Sequence, residues 1–134
     1  MGIQHINPDT LFDSTPYGFS QVVVGEGKRI ICCAGQTAND KDLRIIGVND
    51  FGKQAEYAFE NVRRALAAAG AGPEHIVSTR MYVVGYTPVY LELLGKVIGN
   101  FYGDLPAPAN TMVGVTALAL PEFLIEIEAT AVLD

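Results

Sequence analysis

The apolar positions of this chain follow two periods, and the period predicts which segments form strands. Two β-branched runs come first, over Gln21–Val24 and Ile30–Cys33. The glycine-containing segment 25–29 between them has the length of a hairpin turn, so the pattern predicts two adjacent antiparallel strands. Later apolar runs predict further strands over Ile76–Val84, Val113–Leu120 and Leu124–Val132.

Helical spacing of apolar residues predicts two helices. The first covers Phe51–Ala69, with Asn49 or Asp50 as its N-cap and Gly70 just past its end. The second is predicted to open at Thr87, whose hydroxyl would cap the helix ahead of Pro88. Its apolar face repeats from Leu91 to Phe101, and Gly103 ends it.

The resulting order, ββαβαββ, predicts one α+β domain over residues 1–134, with both helices on one face of a mixed sheet. The predicted strands are apolar on both faces, as in Val22–Val24 and Ile30–Cys33. Since two helices cover only one side, the other side needs a further partner. Association of identical subunits is the simplest one, and the pattern therefore predicts an oligomer.

A period of two in the last strand places two carboxylates together. In Ile125–Ala129, Glu126 and Glu128 alternate with apolar residues, so a strand presents both on the face opposite its core-facing side chains. Glu126, a carboxylate next to a core, is a candidate site residue, and a solvated or salt-bridged position is the alternative. Glu128 is interpreted as a structural partner at a subunit interface.

Composition narrows the function classes. The chain has 134 residues, of which 49% are hydrophobic and 18% charged, which is typical of a globular protein. A net charge of −6 disfavours nucleic acid as a partner. The chain has no apolar run of about 18 residues, the length that a membrane helix needs, so a cytoplasmic protein without a membrane partner is expected.

The cysteines and histidines offer little chemistry. Cys32 and Cys33 are neighbours that a strand points to opposite faces, so we expect reduced thiols that act as buried packing residues. His5 and His75 lie far apart in the sequence, whereas a metal site needs three or four converging ligands. No metal and no cofactor are expected.

The segment Pro106–Val115, followed by Leu120-Pro121 and Ile125–Ala129, resembles the signature of the Rid family, the YjgF-like reactive intermediate deaminases. The resemblance extends over nearly the whole chain. It implies a chorismate-mutase-like fold and a homotrimer with three sites in the clefts between neighbouring subunits. It also implies hydrolysis of 2-imino or 2-enamino acids to 2-oxo acids and ammonia.

Three positions match the residues that line the family's pocket. Tyr17 matches its tyrosine, Gly35 its glycine, and Glu126 the glutamate that helps to activate water. For Tyr17, packing against the core is the alternative interpretation. Backbone groups near Gly35 would orient the substrate.

Three other positions depart from the family's pattern. Ala34 replaces a serine, Gly95 falls near the position of an asparagine, and Asn110 replaces the arginine that grips the substrate carboxylate. An asparagine amide carries no charge, and a charge-assisted hydrogen bond contributes roughly 1.5 to 3 kcal/mol. The chain is therefore expected to act on a neutral or differently anchored small molecule.

Two function classes remain open. One is a hydrolase for an imine, enamine or related carbon–nitrogen compound, with Glu126 as general base and Asn110 orienting the substrate. The other is a non-catalytic or regulatory trimer that binds a small ligand in the same pocket. Ribonuclease activity is also attributed to members of the family, but the acidic charge gives it little support.

Overall fold

The computed structural model describes residues 2–134, which form six strands and two α-helices. The strands are β1 (Gly2–Ile6), β2 (Val22–Glu26), β3 (Arg29–Gln36), β4 (Ile76–Val84), β5 (Ala109–Val115) and β6 (Ile125–Leu133). The helices are α1 (Phe51–Ala68) and α2 (Tyr90–Tyr102), and short 3₁₀ turns cover Thr15–Tyr17 and Pro73–His75. The α+β class and the mixed sheet with two helices are as predicted.

The main sheet has four strands in the order β3-β6-β4-β5, with β4 and β5 parallel and the other pairs antiparallel. β2 pairs with β1 in a separate two-stranded sheet, so the predicted hairpin of β2 and β3 is wrong. The segment between β2 and β3 contacts β6 instead, because the backbone N–H of Lys28 donates to the Leu133 carbonyl at 3.1 Å. A Cβ on Gly27 would lie 2.7 Å from the same carbonyl oxygen, so glycine permits the close approach.

Other boundaries differ where tertiary contacts override local pattern. β1 was not predicted, and β5 starts at Ala109 rather than Val113 because its pairing with β4 begins there. α2 starts at Tyr90, since Tyr90 N–H donates to the Thr87 carbonyl (3.0 Å) in a turn that precedes the helix. The Thr87 hydroxyl is not its cap, because Val89 occupies the N-cap position without a side-chain bond.

The first helix follows its sequence signals. Asp50 caps α1 by accepting a hydrogen bond from Lys53 N–H at 3.0 Å, which satisfies one of the free donors of the first turn. Gly70, with φ of +78°, lies just past its C-terminal end. None of the helices within residues 2–134 combines the length and apolar character that a membrane span requires.

The core lies between the four-stranded sheet and the two helices. On β6, Ile125, Ile127, Ala129 and Ala131 are buried, while the residues between them are only partly buried. Core residues from both helices pack in the same cluster; among them are Ala55, Phe59, Val62 and Leu66 of α1 and Leu94, Val97 and Ile98 of α2. The alternation predicted for the last strand is confirmed, and Glu126 and Glu128 share the face opposite the helices.

That opposite face leaves large apolar side chains uncovered within the chain. Ile30 is 71% exposed and Val113 is 42% exposed. Cys32 is also exposed, so its predicted burial is wrong, whereas Cys33 packs against the core as predicted. The two thiols differ because neighbours on a strand point to opposite faces. Association of subunits over this face stays a prediction.

Candidate functional site

The four-stranded sheet separates the candidate residues into two groups. On β5, Asn110 pairs with Thr79 and Met112 pairs with Met81; Thr79 and Met81 of β4 are buried on the helix side. Glu126 of β6 lies on the opposite face. The candidate residues of one chain therefore form two separate groups, here called half-sites.

The first half-site is a small cavity between β5, α2 and the segment after the first 3₁₀ turn, here called the Asn110 cavity. Its volume is about 170 Å³. It is lined by Tyr17, Phe19, Met81, Leu91, Leu94, Gly95, Ile98, Asn110 and Met112. The sequence-predicted positions Tyr17, Gly95 and Asn110 thus meet here. None of the lining residues carries a charge.

The amide of Asn110 has a defined orientation in this cavity. Its Oδ1 accepts a hydrogen bond from the Thr79 hydroxyl at 2.9 Å. The two N–H donors of Nδ2 are therefore left for a ligand. Thr79, which sequence reasoning missed, is 5% exposed and holds the amide from the neighbouring strand. The arrangement suits a neutral hydrogen-bond acceptor, such as a carbonyl oxygen, better than a carboxylate.

Tyr102 of α2 lies close to Thr79. Burial raises the pKa of its hydroxyl well above the ordinary range, and the Thr79 side chain offsets this only in part. Among buried side-chain oxygen and nitrogen atoms of residues 2–134, this hydroxyl alone makes no hydrogen bond of acceptable geometry. The hydroxyl therefore lies near the Thr79 side chain without a well-formed hydrogen bond.

Tyr17 stands at the rim of the Asn110 cavity. It ends the first 3₁₀ turn and is 66% exposed, so the alternative interpretation of core packing is wrong. Its ring meets Phe12 edge to face at a centroid distance of 6.2 Å. Gly18 follows with φ of +87°, a conformation that favours glycine and turns the chain back onto Ile98.

The second half-site consists of Glu126 and the bulge that faces it. The register between β3 and β6 shifts between Cys33 and Gln36, which places Ala34 and Gly35 in the irregular segment. A Cβ on Gly35 would lie 2.6 Å from Cδ of Glu126 and closer still to its Oε2. The carboxylate therefore lies against the Gly35 backbone, in the space that the Cβ of any other residue at position 35 would occupy. Ala34 is exposed, and its carbonyl accepts from Gln36 Nε2 at 3.1 Å.

The two glutamates of β6 have different surroundings. Glu128 accepts a hydrogen bond from the Tyr82 hydroxyl, and this bond, followed by burial and the nearby carboxylates, raises the pKa of Tyr82. Glu126 lies opposite Tyr82 in the register but makes no hydrogen bond or ion pair within residues 2–134. The Glu126 carboxylate is thus uncommitted, whereas Glu128 is held within its own chain. Tyr82 was missed because only the strand pairing reveals it.

Of the two cysteines, Cys33 lies two residues before Gly35 and is partly buried. Burial, and secondarily the Cys32 thiol, raises the pKa of Cys33, which makes its thiolate less accessible. In the part of the chain that the structure describes, no three His, Cys, Asp or Glu side chains are grouped closely enough to hold a metal ion.

Comparison with known proteins gives a consistent result. Residues 14–133 match the family described as Endoribonuclease L-PSP. A crystal structure of a protein of unknown function of the conserved Rid protein family, YyfB from Yersinia pestis, superposes with a TM-score of 0.96 at 41% identity, covering 99% of this chain and 100% of that one.

Two further relatives are more distant. A member of the YjgF/YER057c/UK114 family from Mycobacterium tuberculosis superposes with a TM-score of 0.65 at 29% identity, covering 98% of this chain and 100% of that one. A RutC family protein of Synechocystis is 28% identical over 116 residues, which is 86% of this chain and 85% of the relative.

Proposed function

The chain belongs to the endoribonuclease L-PSP family, which includes the Rid and YjgF-like proteins, and on this premise we propose that it hydrolyses a neutral imine, enamine or related carbon–nitrogen compound. Family membership supports a small-molecule deaminase or related role. The observation that most supports this proposal is that the Glu126 carboxylate lies against Gly35 and makes no hydrogen bond or ion pair within residues 2–134. Neither a nucleic acid nor a membrane is proposed as a partner, since the net charge is −6 and no helix within residues 2–134 is long and apolar enough for a span.

Glu126 would act as the general base. Its carboxylate takes a proton from water while the water oxygen forms a bond to the carbon of the C=N group. The nitrogen takes up protons as the resulting carbinolamine collapses, so that an imine and water give a carbonyl compound and ammonia. A carboxylate without a hydrogen-bonded partner within residues 2–134 is available for this step, whereas Glu128 is committed to Tyr82.

Asn110 would orient the substrate. The Thr79 hydroxyl occupies its Oδ1, so Nδ2 is the group that can donate to a substrate oxygen. Since the Asn110 cavity is lined by apolar side chains and carries no charge, a carboxylate there would lose its hydration without gaining a cation. The cavity therefore supports a neutral substrate rather than the usual 2-imino acids.

The proposed site lies between subunits of a homotrimer. Asn110 and Glu126 lie on opposite faces of the sheet, so the two half-sites of one chain do not face each other. The uncovered face with Ile30 and Val113 supports an association that would place Glu126 of one subunit near the Asn110 cavity of the next. Light scattering should give about three times 14.4 kDa, and a monomer at micromolar concentration would contradict the proposal.

The direct test is a hydrolysis screen with a matched pair of variants. We expect the purified protein to release ammonia from neutral imines faster than from 2-iminobutyrate. Glu126→Gln should lose this activity by about a hundredfold or more, which is the usual contribution of a general base. Glu128→Gln makes the same change two residues away on the same face and keeps an oxygen for Tyr82. Equal activity of Glu126→Gln and the wild type would refute the role.

A non-catalytic or regulatory trimer is the second candidate. It is favoured by the small, apolar Asn110 cavity, in which Gly95 offers no side chain and Asn110 no charge. This candidate predicts that ligands bind in the Asn110 cavity and that no imine in the screen is turned over. Crystals soaked with neutral carbonyl compounds would then show a ligand on Asn110, while neither the wild type nor Glu126→Gln releases ammonia.

A further inference from the structure

A second cavity lies back to back with the Asn110 cavity, and the proposed reaction does not use it. Its volume is about 400 Å³, within the range of sites for small molecules. Its walls come from β1, the first 3₁₀ turn, α2 and the segment 105–107. Gly18 packs on Ile98 between the two cavities, since a Cβ on Gly18 would lie 3.2 Å from Ile98 Cγ2. We call it the His5 cavity.

His5 is the polar group that organises this cavity. The Ser20 hydroxyl donates to the Ala107 carbonyl at 2.6 Å, so its single proton is committed. His5 Nδ1 lies 3.1 Å from the same oxygen and must therefore be the donor of that bond. For a neutral imidazole this bond places the proton on Nδ1 and the lone pair on Nε2, which has no partner within residues 2–134. Ser20, which is 3% exposed, fixes this tautomer.

Part of the wall that α2 contributes to the His5 cavity is bare helix backbone, beside the side chains of Ile98 and Tyr102. Gly95 and Gly99, one turn apart on α2, both line it, and a Cβ at either position would meet nothing within 4 Å. Glycine inside a helix is unfavourable relative to alanine, and no neighbour in the chain requires it at Gly99. Pro16 and Pro106 line other parts of the cavity. A stretch of wall without side chains suits a flat molecule.

We propose that the His5 cavity is a second binding site, which takes a flat, uncharged small molecule with an N–H or O–H donor for Nε2 of His5. No lining residue carries a fixed charge, so an ion would be poorly compensated. The site has its own cavity and hydrogen bonds, and it shares only Phe19, Gly95 and Ile98 with the Asn110 cavity. It does not depend on the proposed hydrolysis, because neither Asn110 nor Glu126 lines it.

A pair of probes that differ in one donor tests the proposal. Indole is flat and carries one N–H, whereas 1-methylindole has the same ring system without the donor. Titration of ¹⁵N-labelled protein should shift the amide resonances of Ser20 and Gly99. Indole should bind several-fold to about tenfold more tightly than 1-methylindole, as expected for one hydrogen bond. In His5→Phe the two probes should bind equally.

A matched pair of variants tests the location. Gly99→Leu fills the cavity and should abolish the indole shifts, whereas Lys96→Leu adds the same side chain to an exposed position of α2 outside the lining and should bind indole as the wild type does. Equal affinity of the two probes for the wild type would overturn the proposal. So would shifts centred on Asn110 and Met112, or undiminished indole binding by Gly99→Leu.

Discussion

Replacing Gly35 by alanine tests whether activity depends on the position of the Glu126 carboxylate against the Gly35 backbone. The new Cβ would lie 2.6 Å from Cδ and 2.8 Å from Cγ of Glu126, distances that no real Cβ contact shows. The obstacle is the far part of a flexible side chain, so Glu126 can swing to another rotamer. The backbone tolerates the change, because Gly35 is not among the residues with positive φ. We therefore expect Glu126 to move and the fold to remain.

The expected change in the free energy of unfolding is small, whereas the expected change in activity is large. An off-rotamer side chain costs of order 0.5 to 1.5 kcal/mol, and a compatible glycine-to-alanine change returns about 0.4 to 1 kcal/mol. The free energy of unfolding should thus change by less than about 1 kcal/mol, or roughly 3 to 5 °C in Tm for a chain of this size. A displaced general base, by contrast, should lower kcat/KM about a hundredfold.

The assay combines thermal unfolding with ammonia release from the best neutral imine. Gly99→Ala is the matched control, because the same Cβ enters open space there and should leave activity unchanged. The double variant Gly35→Ala/Glu126→Ala should be no less active than Glu126→Ala alone, because the Glu126 side chain that would clash with the new Cβ is absent. Wild-type activity in Gly35→Ala would show that the position of Glu126 over the bulge has no part in the chemistry.

Three further changes test other parts of the structure. Asn110→Arg introduces a cation that can make a bidentate bond to a carboxylate, so calorimetry should show that it binds 2-oxobutyrate up to about a hundredfold more tightly than the wild type. Asn100→Arg, on the exposed side of α2, should bind it no more tightly than the wild type. Equal affinities of Asn110→Arg and the wild type would contradict the anchoring role of position 110. Tyr102→Phe removes a buried hydroxyl without a hydrogen bond and should raise the free energy of unfolding by up to about 1 kcal/mol, and a clear loss in denaturant melts would show that the hydroxyl is satisfied. Asp50→Ala removes the α1 cap and should lower that free energy by about 1 kcal/mol, whereas Asp50→Asn should largely retain it.

Local patterns of the chain were enough to predict the secondary structure around the core. The period of two in β6 assigned Ile125 and Ile127 to the core and Glu126 to the other face, and the structure confirms it. Helical spacing with Asp50 as a cap predicted α1 nearly to its last residue. These features depend on neighbours in sequence, through side-chain alternation and free backbone donors, so a sequence shows them directly.

Strand pairing was decided only by contacts between distant residues. The turn after β2 resembles a hairpin locally, but Lys28 bonds to Leu133, more than a hundred residues away, and Gly27 permits that approach. The parallel pairing of β4 with β5 likewise begins at Ala109, ahead of the apolar run that predicted a strand.

The same long-range contacts decide what the candidate residues can do. The pairing of β4 with β5 places Asn110 beside Thr79, which orients its amide, and the bulge in β3 places Gly35 under Glu126. The sequence alone showed which residue types were present and which were missing. The alternation in β6 already assigned Glu126 to the face away from the core. The face of Asn110 follows from the pairing of β5 with β4, because a shift of one residue would exchange the faces and no local pattern records that register.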